Sequence, residues 1–254
     1  TVMLSGDGGD ELFWGYAQHF GRVMNGVGDF RYPRLWRKMK QKVRRFIHSP
    51  EVCPGHRFNS LGEWHRSNYS RLHESCLHRV FPHIPSWPDE YSCFHYTGYD
   101  QDDAAQWLRQ SEFASHLGGI LLKVDRASMF SSLEVRVPLL DREVIDVAVQ
   151  LDWRDCFDPV KRIGQIPLRK SLARYVSSQT SEKKGFAPPM GKWLRDSLRP
   201  AIEEVLLTRD SLAGVEVDKK ALRNLYHEHI EGMDYGWGLW PLLSLALWEK
   251  HHGR

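Results

Sequence analysis

Three carboxylates, Asp7, Asp10 and Glu11, fall close together in a glycine-rich stretch, Ser5-Gly-Asp-Gly-Gly-Asp-Glu11. Gly6, Gly8 and Gly9 let the backbone take positive φ and come close to a bound group. N–H groups of such a loop, and of a helix behind it, can face an anion. Carboxylates repel phosphate, so the two belong together only when a hard cation such as Mg²⁺ lies between them. Capping is the plain alternative, because Asp10 suits an N-cap and acids in a first turn suit the helix dipole. Capping explains any one of these acids; the three together favour a site. No Gly-Lys-Ser/Thr follows, which excludes a Walker A loop, and the spacing is not that of an EF-hand.

The flanking residues must hold this loop. Val2, Met3 and Leu4 read as the end of a buried strand. From Asp10 an amphipathic pattern begins, with Leu12, Phe13, Tyr16 and Phe20 on one helical face. The order is strand, tight loop, helix, and ligands in open α/β sheets bind outside the carboxyl end of a strand. A strand that opens on Thr1 cannot satisfy its own backbone alone, so either upstream residues or another chain are expected to complete it.

Ser5-Gly-Asp-Gly-Gly-Asp-Glu-Leu-Phe-Trp-Gly-Tyr16 resembles the second signature of the asparagine synthetase family. Further stretches match in order: 122–129 (Leu-Lys-Val-Asp-Arg-Ala-Ser-Met), 132–141 (Ser-Leu-Glu-Val-Arg-Val-Pro-Leu-Leu-Asp), Leu168-Arg169, Lys184-Gly-Phe186 with Trp193, and Leu239-Trp240. The resemblance covers most of the chain, with a poorly matched stretch over 21–100 read as an insertion, partly helical. It implies a chain that is mainly α: the C-terminal, mostly helical portion of an α/β adenine-nucleotide-hydrolase-like (ATP pyrophosphatase) domain, with one residual strand at the N-terminus. The family's upstream Ser-Gly-Gly-x-Asp-Ser loop and N-terminal glutaminase are not in the sequence.

The implied reaction is ATP-dependent amide formation. A carboxylate such as aspartate is adenylated with loss of pyrophosphate, and ammonia from glutamine, or another amine, captures the acyl group. ATP and Mg²⁺ are the implied cofactors. By the same resemblance Ser5 and Gly6, with Gly8 and Gly9, contact ATP, and Asp7 serves adenylate formation. Asp10 lies near the Mg²⁺–pyrophosphate, and Glu11 either joins it or supports the loop. One position departs: the family's lysine three residues before Leu-Arg is Gln165 here. A neutral amide cannot supply that charge. Either Lys161 or Arg162 supplies it, or the chain is slow, altered in substrate or inactive.

Between 117 and 131 apolar residues lie almost all round a helix, which should therefore be buried. Lys123 and Arg126 share one side of it. They either face polyphosphate or pair with Asp125, Glu134 and Asp141 in an ion cluster. Asp141 and Asp218 read as caps, the latter for a helix from Lys219 to Ile230 with Leu222 and Leu225 packed inward. Gly21 to Gly28 reads as a flexible break, Trp193 to Leu207 as a helix, and Trp248 as packed inward. Asp102 and Asp103 read as caps for a helix through Trp107. Lys183 and Lys184 sit in a polar loop that is either a lid over the site or simply solvated.

Residues 31–47 hold eight basic residues and no acid, with Leu35, Trp36, Met39, Val43 and Phe46 at helical spacing. The expectation is a helix docked by its apolar face. Contact with nucleic acid or an anionic membrane is the alternative. The histidines at 48, 56, 65, 73, 78, 83 and 95 show no metal-ligand spacing and read as scattered.

Composition fits a soluble globular protein, with 41% hydrophobic and 26% charged residues. A net charge of +3 is too small to imply a polyanion partner for the whole chain. Cys53, Cys76, Cys93 and Cys156 form no Cys-x-x-Cys pair, which argues against structural zinc and disulfides and suits the cytoplasm. No apolar run reaches membrane-spanning length. Two other classes stay open: a family-like domain without chemistry that serves binding or assembly, and an anionic-surface binder using the 31–47 helix.

Overall fold

The structure, a computed structural model, describes residues 2–46, 58–72, 74–85, 89–176 and 188–253. In chain order the strands and α-helices are β1 (Val2–Leu4), α1 (Gly9–Leu12), α2 (Ala17–Val27), α3 (Arg34–Phe46), α4 (Leu61–Ser67), α5 (Glu74–Val80), α6 (Gln101–Ala114) and α7 (His116–Phe130). There follow β2 (Glu134–Arg136), α8 (Arg142–Gln150), α9 (Trp153–Cys156), α10 (Ile166–Leu172), α11 (Met190–Arg195), α12 (Arg199–Ala201), a hairpin of β3 (Ser211–Leu212) and β4 (Val215–Glu216), α13 (Lys219–Ile230) and α14 (Gly236–His252). The chain is mostly helical, as expected. It forms two compact units, Thr1–Arg66 with Pro88–Ser181, and Ser67–Trp87 with Glu182–Arg254.

In the first unit β1 is not the sole strand. It pairs in parallel with β2, Val2 opposite Glu134 and Leu4 opposite Arg136. β2 places Glu134 and Arg136 on its exposed side and Val135 on the other, as the alternation requires. The ion pair on that side joins Arg136 Nε to Glu134 Oε1 at 2.8 Å. Among the described residues no ion pair joins Lys123 or Arg126 to Asp125, Glu134 or Asp141, so the ion cluster, one of the two alternatives for these cations, does not form. Asp141 is occupied otherwise, accepting the Glu143 N–H as the N-cap of α8.

Three helical expectations need correction. The pattern from Asp10 to Phe20 is two helices, because Trp14 takes φ 63° and the Gly15 N–H folds back to the Asp10 carbonyl at 2.8 Å. Gly21 to Gly28, expected as a break, is mostly helix, since α2 runs unbroken to Val27. Finally α7 is not enclosed: of its residues only Leu117 is buried, and Leu122, Met129 and Phe130 face outward, Phe130 at 94% exposure. Its neighbours in this unit, α6 and β2, cover one side only.

The core of the first unit gathers Trp14, Phe20, Val23, Met24 and Val27 against Leu61, Ala104, Leu108 and Phe157. Trp14 stacks on both Trp153 and Phe157 at ring separations of 5.7 and 5.8 Å. Asp100, not Asp102 or Asp103, caps α6 by accepting both of their N–H groups. Asp102 instead accepts the Trp153 indole N–H and pairs with Arg154.

The basic helix α3 docks by the opposite side from that expected. Leu35, Trp36, Met39 and Val43 are exposed, while Arg37 is buried with its guanidinium 4.8 Å over the Phe30 ring. Lys40 pairs with the buried Asp29. A cation placed over an aromatic face and a half-exposed lysine paired with the buried Asp29 anchor this helix where apolar burial was expected.

In the second unit Leu194, Ile202, Leu206, Leu222, Leu225, Leu239 and Leu243 form the core. The helix Lys219–Ile230 and its Asp218 cap stand where the sequence put them, the carboxylate accepting the Ala221 N–H at 2.9 Å. The expected run from Trp193 to Leu207 is interrupted, with α11 ending at Arg195 and Asp196 leaving helical geometry. Trp248, expected inside, is 59% exposed.

His229 is fully buried here. Its Nδ1 accepts the Tyr235 N–H, and its Nε2 lies 3.1 Å from the Gly191 carbonyl, which suits the neutral imidazole with its proton on Nε2. Burial, aided by the Arg195 charge, pushes its pKa below the ordinary 6.5. The unfolded chain therefore binds the proton first, so stability is complete above pH 6.5 and declines as pH falls through that value toward the depressed native one. Urea titrations should show this acid slope, and His229→Gln should flatten it.

Candidate active site

The loop Ser5–Asp7 leaves β1 at its carboxyl end, and the Ser5 N–H donates to the Arg136 carbonyl at the same end of β2 at 2.8 Å. The acids thus stand where two parallel strands finish, the usual ligand position of such sheets. Gly8 turns the chain with φ 84°, and a Cβ there would strike the Leu140 side chain. Both conditions call for glycine. Helix α1 follows at once, with Gly8 as its N-cap, so Asp10 belongs to the first turn and is not the cap.

The three carboxylates have different surroundings. Asp7 is half-buried, and the Ser5 hydroxyl donates to its Oδ2 at 2.6 Å. Asp10, also half-buried, accepts the Gln165 side-chain amide on Oδ1 at 2.7 Å. Glu11 is only 1% exposed and accepts the Tyr16 hydroxyl at 2.7 Å. Burial raises the Glu11 pKa above the ordinary carboxylate range, although the Tyr16 hydrogen bond works against this. The Tyr16 hydroxyl is in turn held above its usual range by burial and by Glu11. Glu11 and Tyr16 together brace α1 from the inside.

Gln165 arrives from a separate segment. It sits in left-handed geometry (φ 57°) at the start of α10, and its N–H donates to the Phe13 carbonyl at 2.8 Å. Pro167 lies in the first turn of α10. Gly164 before it is held against Trp14, where a Cβ would collide with the Trp14 carbonyl. The Arg169 Nε donates to the Gly164 carbonyl at 2.9 Å and closes the turn. The position where the family carries a lysine is thus in direct contact with the acid loop.

The cationic residues singled out from the sequence are not assembled in the same way. Lys161 and Arg162 are exposed on the turn 158–163, where the Lys161 N–H donates to Asp158 Oδ1. Lys123 and Arg126 are exposed on α7. Lys184 and Lys183 lie outside the described residues. Sequence reasoning found the loop and Gln165; it gave no role to Tyr16, whose hydroxyl-to-Glu11 contact spans the break between α1 and α2 and has no sequence periodicity to reveal it.

Comparison with known proteins identifies relatives. A family profile described as asparagine synthase matches residues 1–250. A putative asparagine synthetase (glutamine-hydrolyzing) of Mycobacterium bovis is 32% identical over 97% of this chain, which covers 39% of that relative. The same figures hold for a protein of the same description from Mycobacterium tuberculosis. Asparagine synthetase (glutamine-hydrolyzing) 1 of Bacillus subtilis is 27% identical over 98% of this chain and 40% of its own length. The chain therefore spans about two fifths of the curated relatives it matches. No solved structure matches. With the profile running nearly end to end through the acid loop, α7, β2 and α10, the chain belongs to the asparagine synthase family.

Proposed function

We propose that this chain forms the C-terminal part of the adenylating half of an ATP-dependent amide-forming ligase. In the proposed reaction a carboxylate, aspartate being the first to test, attacks the α-phosphate of ATP. The bond to pyrophosphate breaks, and ammonia released from glutamine, or another amine, then displaces AMP from the acyl carbon. The observation that carries this reading is the acid loop at the shared carboxyl end of β1 and β2, with Ser5 on Asp7 and Gln165 on Asp10.

The residues fit a hard cation in their donor type. Asp7 and Asp10 offer carboxylate oxygens on the half-exposed side of the loop, the ligands Mg²⁺ prefers. Glu11, buried and bonded to Tyr16, fits better as the brace that sets the angle of α1. Bound Mg²⁺ would screen the charge that builds on the leaving pyrophosphate. The chain's own part is positional: Ser5 orients Asp7, Gln165 orients Asp10, and Gly6, Gly8 and Gly9 let the nucleotide come near the backbone. Lys123, Arg126, Lys161 and Lys184 are the cations proposed to meet the phosphates.

The rest of the domain would complete the site. Val2, Met3 and Leu4 of β1 and Leu122, Met129 and Phe130 of α7 are exposed, apolar surface that a further segment of the same protein, or a partner chain, would cover. ATP–pyrophosphate exchange by the full protein, run with aspartate and then a panel of carboxylates, tests the reading. Exchange dependent on one acid is the expected result, and none with any acid would refute it.

A second reading, a family member with weakened chemistry, is favoured by Gln165 itself. Its amide satisfies Asp10 but brings no positive charge to the site. If that charge is what is lacking, Gln165→Lys should raise the exchange rate about 100-fold or more, the scale of one well-placed electrostatic contact. An unchanged rate would place the cation elsewhere, with Lys161 and Arg162 the next to replace.

A further inference from the structure

His19 on α2, His65 on α4 and Glu112 on α6 converge inside the first unit, although none of their spacings in the sequence suggests it. Nε2 of His19 lies 3.2 Å from Glu112 Oε1, and Nε2 of His65 lies 3.6 Å from the same oxygen. One ligand atom from each of the three lies within 4.8 Å of the others. His65 and Glu112 are fully buried, whereas the His19 side chain keeps 19% of its surface exposed. Aromatic walls enclose them: Phe20 beside His19, and Phe94 and Trp107 beside His65.

Two imidazoles and a carboxylate are a recurrent transition-metal ligand set. With bonds of about 2.0–2.1 Å, a tetrahedral zinc holds neighbouring ligand atoms roughly 3.3 Å apart. The observed separations of 3.2 and 3.6 Å bracket that distance. A carboxylate is costly to bury unless it is paired or coordinates a metal. Magnesium and calcium prefer all-oxygen sites, and the two nitrogens point instead to zinc or a similar divalent ion.

We propose that His19, His65 and Glu112 bind a divalent transition metal, zinc by ligand set, which ties α2, α4 and α6 together. The second Glu112 oxygen or an enclosed water would complete the coordination. The site has a structural role and is separate from the proposed nucleotide loop, and it does not rest on that reading. It does stand behind it: His19 follows Tyr16 by three residues, and the Tyr16 hydroxyl holds Glu11. A metal here would steady the α2 end of that brace.

Calorimetric titration of the chelator-treated full protein with zinc chloride, alongside metal analysis of the untreated protein, tests this. The expected result is one zinc per chain, a raised thermal midpoint on binding, and a visible ligand-field spectrum when cobalt replaces it. His19→Gln, at the partly exposed position, should keep the fold and lower zinc affinity more than about 100-fold, beyond the usual effect of an outer-shell change. Glu112→Gln keeps size and hydrogen-bonding capacity and should lose the metal equally. No stoichiometric zinc in the folded protein, or affinity unchanged in His19→Gln, would overturn the proposal and leave a purely hydrogen-bonded cluster.

Discussion

Asp7→Asn is expected to lower ATP–pyrophosphate exchange by about 100-fold or more, while leaving the urea midpoint close to that of the parent. Loss of one preorganised electrostatic partner at a developing charge typically costs about 10²–10³ in rate. The amide keeps the shape of Asp7 and can still meet the Ser5 hydroxyl, so the loop should hold. Ser5→Ala separates orientation from charge. It leaves the carboxylate but removes the hydroxyl 2.6 Å from it, so its effect should be smaller. If Asp7→Asn retains most of the exchange, Asp7 is a turn residue and the chemistry lies elsewhere in the protein.

The second large effect is on folding. Arg109 lies in α6 at 3% exposure, and its guanidinium donates to the carbonyls of Ala148 at 2.7 Å and Leu151 at 3.0 Å. Both carbonyls lie at the carboxyl end of α8, past its regular helical bonding, and that of Ala148 also accepts the Leu151 N–H at 3.3 Å. A buried cation at a helix C-terminus both satisfies them and suits the helix dipole. Burial holds the Arg109 pKa below its usual value, yet a guanidinium stays charged at any ordinary pH. Arg109→Ala removes two charge-assisted bonds and leaves the half-buried Leu151 carbonyl without this donor. The expected cost is about 3–5 kcal/mol, read as a lower urea midpoint. Arg109→Lys should recover only part of it, because an ammonium cannot fork to two carbonyls. A loss under about 1 kcal/mol would mean that water replaces the side chain there.

The parts of this fold that depend on neighbours in sequence were readable from it. Asp218 followed by the pattern Leu222–Leu225 gave a helix whose limits the structure reproduces, because cap and apolar stripe agree. The acid loop was readable for the same reason, with its glycines and acids contiguous. The fold departed from expectation where distant contacts decide. The exposed sides of α7 and β1 show that apolar sequence marks a face to be covered without saying which part of a protein covers it. In α3 the apolar stripe was correct as a pattern, but Phe30 and Asp29 bind Arg37 and Lys40 and turn the stripe outward. Gln165 drew notice through the family's lysine, while its bond to Asp10 spans 155 positions and required the fold. His19, His65 and Glu112 have no short spacing at all, and histidines counted along the sequence looked scattered.

In the proposed reaction the loop Ser5–Glu11 meets a metal-bound nucleotide. The most direct test is a crystal structure of the full protein with magnesium and a non-hydrolysable ATP analogue. Phosphate or adenylate density against Ser5, Gly6 and Asp7, with magnesium reached through Asp10, is the result expected. Nucleotide bound well away from that loop, with Asp7 and Asp10 unchanged, would contradict it.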